Sequence, residues 1–347
     1  MFEHLLRDHI KKIAIRPHDS QSPETESQKL ISLAANENAF GSPGEVKYNR
    51  YTNFLQDNFI QSIANIKKVD ASQIFVSNGS EAVLAHVLSI FCEPVDDNII
   101  VCTPSSPLYE KLAQWQNIKV KKVDLTDDFQ LDIEAIASSI DNFTKIILLC
   151  SPNNPTGNSF SFNDIEILLH NFDGILIVDE AYINFSKQHS LLASLSEFPN
   201  LIVVQTLSKA WGLAGLRIGM AFANPAIVEV LKIVGSSYTI AQPSLEIALK
   251  AIEQLDLINS WIKDCVSLRA YLIQRLEKLP ICEKVFPSDA NFLLVKFNDD
   301  ATSMWKYLLK NGISVRYLPG LPNCLRVTVG TLQENERLIV LMENYSK

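Results

Sequence analysis

A lysine directly beyond a buried strand is uncommon, and Lys209 follows the apolar run Leu201–Gln205 in the stretch Thr206-Leu-Ser-Lys-Ala-Trp-Gly-Leu-Ala-Gly-Leu-Arg-Ile-Gly219. Desolvation there disfavours the ammonium and pulls its pKa down, and the neutral amine is nucleophilic toward an aldehyde. Alone, such a lysine is more often a solvated head group past a strand end. Thr206, Ser208 and Arg217 change that weighing, because two hydroxyls and a guanidinium near one lysine make a cradle for phosphate.

Three further segments pair strand ends with chemistry. Ile175-Leu-Ile-Val-Asp-Glu-Ala-Tyr182 ends an apolar run with two acids and a tyrosine. A carboxylate such as Asp179, presented by a parallel sheet to its ligand, can hold a pyridine nitrogen protonated; on its own it is more often a helix cap or loop residue, and the pairing with Lys209 is what raises it. Cys150-Ser-Pro-Asn-Asn-Pro-Thr-Gly157 follows the run Ile146–Leu149 and, by composition, is good turn chemistry. Val76-Ser-Asn-Gly-Ser-Glu81 leads from a strand into a helix, where glycine lets the backbone approach a phosphate and the helix start offers N–H groups.

These segments need a scaffold, and the rest of the chain describes one. Beyond Asp70, apolar runs at Ile74–Ser77, Ile99–Thr103, Val120–Val123, Ile146–Leu149, Ile175–Asp179, Leu201–Thr206 and Ile218–Ala221 alternate with helical patterns such as Glu81–Phe91, Pro107–Trp115, Ile133–Ser139 and Asn163–His170. That rhythm predicts an α/β fold with a mostly parallel sheet sandwiched by helices, which binds ligands at the carboxyl ends of its strands. After Pro243 a long helical stretch through Leu279 precedes strand candidates Phe292–Lys296, Ser314–Arg316 and Leu325–Val329, a smaller α+β domain. The expected division is 1–50 as an N-terminal arm belonging partly to the small domain, 51–243 as the large domain and 244–347 as the small one. Within the arm, Phe2, Leu5, Leu6, His9, Ile10 and Ile13 fall at helical spacing and need a surface to lie on, and a second subunit could supply it. Gln21–Ser32 reads as a polar connector.

Composition narrows the function classes. The 347 residues are 47% hydrophobic and carry a net charge of −8 with no basic cluster, which argues against nucleic acid and anionic membrane as partners. No apolar run has the length of a membrane helix and Met1–Ile15 lacks a signal-peptide core, so a cytoplasmic location is expected. The six cysteines are scattered without a CxxC pair and read as reduced core residues, with no metal site implied.

Taken together and in order, these segments resemble the fold-type I, class I/II aminotransferases, and within them the subfamily of histidinol-phosphate aminotransferases. The resemblance covers nearly the whole chain through Ala35-Asn-Glu-Asn38, Asn49-Arg-Tyr51, Ser151–Gly157, Asp179–Tyr182, Thr206–Gly219 and Cys324-Leu-Arg-Val-Thr-Val-Gly330. It implies pyridoxal 5'-phosphate as cofactor, with Lys209 as the Schiff-base lysine and proton shuttle, Asp179 on the pyridine nitrogen, and Asn154 and Tyr182 on the ring's 3-oxygen. The phosphate would rest on the backbone of Gly79, Ser80 and Glu81, on Thr206, Ser208 and Arg217, and on Tyr51 of a second subunit, which implies a homodimer. Arg326 would clamp the co-substrate's carboxylate, Arg316 the substrate's phosphate, and Asn36 would help to fix a strand near the substrate pocket. The implied reaction joins L-histidinol phosphate and 2-oxoglutarate; alternatives are an aromatic or other amino donor on the same machinery, or a cofactor-binding relative without turnover.

Some positions depart from the family pattern. Ser106, in Thr103-Pro-Ser-Ser-Pro-Leu-Tyr109, stands where an aromatic ring usually stacks on the cofactor, so the stacking is either absent or supplied elsewhere, with Tyr109 three residues away. Ala82 follows Glu81 where the family commonly has a second acid, and His18 stands where the subfamily often has a tyrosine.

Overall fold

The computed structural model describes residues 3–14, 33, 35–44, 46–51, 54–235 and 239–345; His18 and the connector Gln21–Ser32 lie outside them. Helices α1 (Asp8–Ala14) and α2 (Phe54–Lys67) come first, and from β1 (Ile74–Ser77) strand and helix alternate. The alternation runs α3 (Ser80–Phe91), β2 (Asn98–Thr103), α4 (Pro107–Trp115), β3 (Lys119–Asp124), α5 (Ile133–Ser139), β4 (Thr144–Cys150), α6 (Phe162–Asn171) and β5 (Ile175–Asp179). It closes with β6 (Leu201–Thr206), β7 (Gly219–Ala223) and α7 (Pro225–Val234).

Strands β1, β5, β6 and β7 are buried at every position, as apolar runs must be when helices cover both faces of a sheet. The seven strands lie in the order β1-β7-β6-β5-β4-β2-β3. Pairs from β3 through β6 are parallel, and β7 runs antiparallel to both β6 and β1. The reversal follows from the connection after β6, which holds only a 3-10 turn (Ala214–Leu216) instead of a crossover helix. Its consequence is functional: the loop bearing Lys209 doubles back at the carboxyl end of β6, beside Asp179 at the end of β5.

The smaller part begins with α8 (Gln242–Ile252) and α9 (Leu255–Leu276), two helices where the sequence suggested one stretch. Then come β8 (Cys282–Val285), β9 (Phe292–Phe297), α10 (Ala301–Lys310), β10 (Arg316–Tyr317), β11 (Cys324–Thr328) and α11 (Leu332–Tyr345). The four strands form an antiparallel sheet in the order β10-β11-β9-β8. Leu272, Leu276, Leu293, Val295, Met304, Leu325 and Leu338 fill a core of its own.

Two packing features bear on where the cores divide. Leu5, Leu6 and Ile10 of the N-terminal arm belong to the large core, not the small domain, because the apolar face of α1 finds its partner in α7. Arg7 fastens the arm there, its N–H donating to the Ile90 carbonyl at 3.1 Å and its side chain pairing with Glu93 at 2.9 Å. Beyond Pro243, Leu245, Ala248 and Ile258 still pack in the large core, and the change of core occurs inside α9. All six cysteines are free, with Cys92, Cys102, Cys150 and Cys324 buried and Cys265 and Cys282 partly so. Among the described residues no helix is long and apolar enough to cross a membrane.

Candidate active site

Adjacent strand ends build the site. Cys150 at the end of β4 is level with Asp179 at the end of β5, and Asp179 with Val204 near the end of β6, so the three following loops meet over one edge of the sheet. Asp179 is buried, and its Oδ1 accepts the Ala181 N–H at 3.0 Å. Its Oδ2 accepts the hydroxyl of Tyr109 at 2.9 Å. Burial pushes the Asp179 carboxyl up, and the Tyr109 bond, the Ala181 N–H and the Lys209 charge pull it back.

Lys209 faces Asp179 across this space and lies 5.6 Å from the centroid of the Tyr182 ring. Its side chain opens to the cleft, so it is wetter than its place after a buried strand suggested. Its amine is nonetheless held below the ordinary lysine range, first by desolvation from the cleft walls and then by the positive charge of Arg326, with Arg217 adding to the effect. Asp179 opposes these influences. An amine whose charged form is disfavoured, near a buried carboxylate, is suited to condense with an aldehyde and to carry a proton.

The residues that could cradle a phosphate meet where β1 passes into α3. Gly79 caps α3 at φ +91, a left-handed conformation that side chains resist. A methyl group there would sit 2.7 Å from Arg217 Nη2, so the guanidinium lies directly over the turn. Arg217 itself takes the left-handed conformation, φ 54, at the end of the 3-10 turn. Gly219 answers a second close approach, since a Cβ there would fall 2.1 Å from the Ser80 nitrogen. Thr206 Oγ1 donates to the Ile218 carbonyl at 3.0 Å and lies 2.9 Å from Ser208 Oγ, which brings both hydroxyls to the same wall. The Gly79 N–H donates to the Ser77 carbonyl at 2.7 Å, and the first-turn amides of Ser80 and Glu81 are the ones that a helix start leaves without a partner in its own helix.

The small sheet adds the other wall. Arg316 on β10 and Arg326 on β11 are register partners, so two guanidinium side chains stand on one face and border a common cavity of about 580 Å³ with Trp305, Tyr317 and Pro319. Arg326 donates to Asn154 Oδ1 and lies over the Phe292 ring, its guanidinium carbon 5.1 Å from the centroid. With Oδ1 so engaged, the amide nitrogen of Asn154 is the group left to donate to a ring oxygen. Tyr182 meets Phe292 edge-on, and burial raises its phenol well above the usual range.

Asn36 and Tyr51 come from the segment that precedes α2. Among the described residues no strand forms near Asn36: residues 35–44 and 46–51 are mostly exposed and are held by Arg50–Glu37 at 2.8 Å, by Asn49 Nδ2 to the Asn38 carbonyl, and by Tyr48 to Glu246 of α8. Tyr51 is 57% exposed at the end of that loop. Ser106 caps α4, accepting the Leu108 N–H at 3.4 Å, and Tyr109 is buried with its hydroxyl committed to Asp179. Tyr109 is therefore closed off from the cleft and does not replace the missing stacking ring. Its role as the partner of Asp179 was hidden in the sequence by a separation of 70 residues.

A cradle of helix-start amides, two hydroxyls and an arginine, an aldehyde-reactive lysine, and a buried carboxylate beyond it fit the phosphate, formyl carbon and ring nitrogen of pyridoxal phosphate. Comparisons with known proteins agree with that fit. Residues 23–340 match the family described as aminotransferase class I and II. The chain is 42% identical to the histidinol-phosphate aminotransferase of Parabacteroides distasonis over 333 residues, 95% of each chain. It is 41% identical to that of Flavobacterium psychrophilum over 342 residues, 98% of this chain and 97% of the relative. The crystal structure of histidinol-phosphate aminotransferase from Sinorhizobium meliloti in complex with pyridoxal-5'-phosphate has the same fold, with a TM-score of 0.78 at 19% identity over 89% of both chains. By the match along its length and by the lysine, acid and arginines that its fold gathers, this chain belongs to the class I and II aminotransferase family.

Proposed function

We propose that this chain catalyses pyridoxal-phosphate-dependent transamination between L-histidinol phosphate and 2-oxoglutarate, giving imidazole acetol phosphate and glutamate. The observation that carries the reading is the pair Arg316 and Arg326, register partners on a shared cavity. Two guanidiniums so placed repel one another, and the charge of Arg316 already weighs on Arg326. An anion between them relieves the repulsion. A phosphomonoester on the donor and a carboxylate on the acceptor each bring one, so a single wall serves both halves of the reaction.

When bound, the cofactor supplies an electron sink for the pair left behind when the substrate's Cα–H bond breaks. Asp179 would hold the pyridine nitrogen's proton, Asn154 and Tyr182 would donate to the ring's 3-oxygen, and Ser80, Glu81, Thr206, Ser208 and Arg217 would hold the phosphate. Lys209 takes the proton from the substrate's Cα. Desolvation and the charge of Arg326 lower its pKa, which favours the unprotonated amine this step needs. Tyr51, exposed at the end of its loop, reaches the phosphate site of a second copy in a homodimer, and Asn36 of the same loop borders the substrate pocket. The partners are small molecules, neither nucleic acid nor membrane, and the enzyme works in the cytoplasm.

A donor screen tests the reading. L-histidinol phosphate, glutamate, phenylalanine and tyrosine are each added to the holoenzyme while the visible band of the bound cofactor is followed. Conversion of the band by L-histidinol phosphate and by glutamate is expected. Faster conversion by the aromatic amino acids would assign a different donor, and a band that persists with every donor would leave a binding protein without turnover.

A further inference from the structure

Phe292 stands where the two cores meet. It is the first residue of β9 and 3% exposed, and its ring belongs to the large core, whereas Leu293 and Val295 belong to the small one. Its carbonyl accepts Ser288 Oγ at 2.6 Å, which fixes the start of the strand. In the pairing with β11, Phe292 lies opposite Thr328 and Leu294 opposite Arg326, so Arg326 is the diagonal neighbour on the same face. Diagonal neighbours come within reach when one is aromatic and the other long. The guanidinium takes the face of the Phe292 ring, and Tyr182 meets the same ring with centroids 5.1 Å apart and planes at 85°.

We propose that Phe292 is a positioning residue that sets Arg326 and Tyr182 in one fixed relation, aligning the guanidinium that takes a substrate's carboxylate with the phenol beside Lys209. The inference rests on the reading above, in which Arg326 binds the carboxylate of the amino-acid co-substrate. Asn154 grips Arg326 at one nitrogen only, which leaves the guanidinium plane free to swivel about that bond. The ring face removes the swivel, because a desolvated cation is drawn flat onto an aromatic face. Tyr182 is steered by the same ring from the side, so a change in one contact is felt in the other. An aliphatic side chain fills the volume of Phe292 but offers the cation no face.

The test uses the holoenzyme of Phe292→Leu and Phe292→Tyr, with glutarate as an unreactive dicarboxylate. Glutarate affinity is measured by calorimetry, and the pH midpoint of the bound cofactor's visible band reports on Tyr182. Phe292→Leu is expected to bind glutarate about 2- to 30-fold more weakly, the span that cation–π energies give, and to displace the band's pH midpoint. Phe292→Tyr restores both. If the leucine variant does not fold, Phe292→Met carries the same expectation. Wild-type glutarate affinity in a ringless variant, or an unmoved midpoint, overturns the inference while leaving the functional reading intact. A wild-type holoenzyme that does not bind glutarate at all overturns the reading of Arg326, and this inference with it.

Discussion

In Tyr109→Phe the ring keeps its place in the core and the molecule loses only the hydroxyl that donates to Asp179 Oδ2 at 2.9 Å. A hydrogen bond to a charged acceptor contributes about 1.5–3 kcal/mol, equivalent to roughly 1–2 pH units at about 1.36 kcal/mol per unit. Burial pushes the Asp179 carboxyl up, and the Tyr109 bond is the first of the influences that pull it back. Without the bond, Asp179 keeps its own proton to higher pH and cannot hold the pyridine nitrogen's. The acid limb of kcat/KM is therefore expected to move up by about 1–2 pH units in the variant, with the alkaline limb in place. Stability follows the same sign. Because the folded-state pKa of Asp179 is raised, its ionisation costs the fold stability at neutral pH, and that cost is relieved as pH falls through the folded-state value. The cofactor-free variant should thus be less stable than wild type by about 1–3 kcal/mol near pH 8, with the gap narrowing in acid. Paired pH-rate profiles and denaturant titrations measure both. An unmoved acid limb, together with a stability gap independent of pH, would refute the assignment of Tyr109 to Asp179's ionisation.

Other substitutions test the remaining walls. Lys209→Ala should lower transamination by at least about 10³-fold, within the range a positioned acid or base supplies, while the cofactor still binds noncovalently; near wild-type turnover would remove Lys209 from the proton transfer. Arg316→Ala should weaken L-histidinol phosphate about 10- to 100-fold, as the loss of a charge-assisted bond gives, and leave glutamate much less affected. Equal losses for both substrates in steady-state kinetics would place Arg316 outside the phosphate's reach. Gly219→Ala should loosen the cofactor and lower the melting midpoint by an amount matching about 1–3 kcal/mol of overpacking, since its new methyl must displace the Ser80 backbone; unchanged cofactor affinity would mean that the cradle can shift at little cost.

Strands with a single possible reading were the most legible. Ile74–Ser77, Ile175–Asp179 and Leu201–Thr206 stand at the bounds expected for them, because each opens with at least three consecutive apolar residues and closes on polar ones. Strand direction is not written in such a run, so nothing in Gly219–Ala223 announced that β7 turns back against β6. Strand β8 escaped notice because Glu283 and Lys284 occupy a half-open edge and the segment has no fully buried position. Helices α10 and α11 did leave a signal, in Met304 and Leu308 and in Leu338 and Met342, pairs four apart that face the small core. In the site, Lys209, Asp179 and the cradle could be argued from strand ends and loop chemistry. The Tyr109–Asp179 bond and the meeting of Arg326, Phe292 and Tyr182 join distant parts of the chain, and side-chain contact at that range is fixed by packing that no local pattern encodes.

Helix α9, 22 residues and about 33 Å at 1.5 Å per residue, rests one end on each core, with Ile258 on the large side and Leu272 and Leu276 on the small. It acts as a tie beam between the sheet that carries the amine and the sheet that carries the arginines. Bending it sharply would break backbone hydrogen bonds mid-span, so the two walls can approach by sliding along its flanks more readily than by swinging apart. Mutations that stiffen or kink the middle of that beam should therefore alter substrate capture, read as a change in KM, without touching a single group that contacts the substrate.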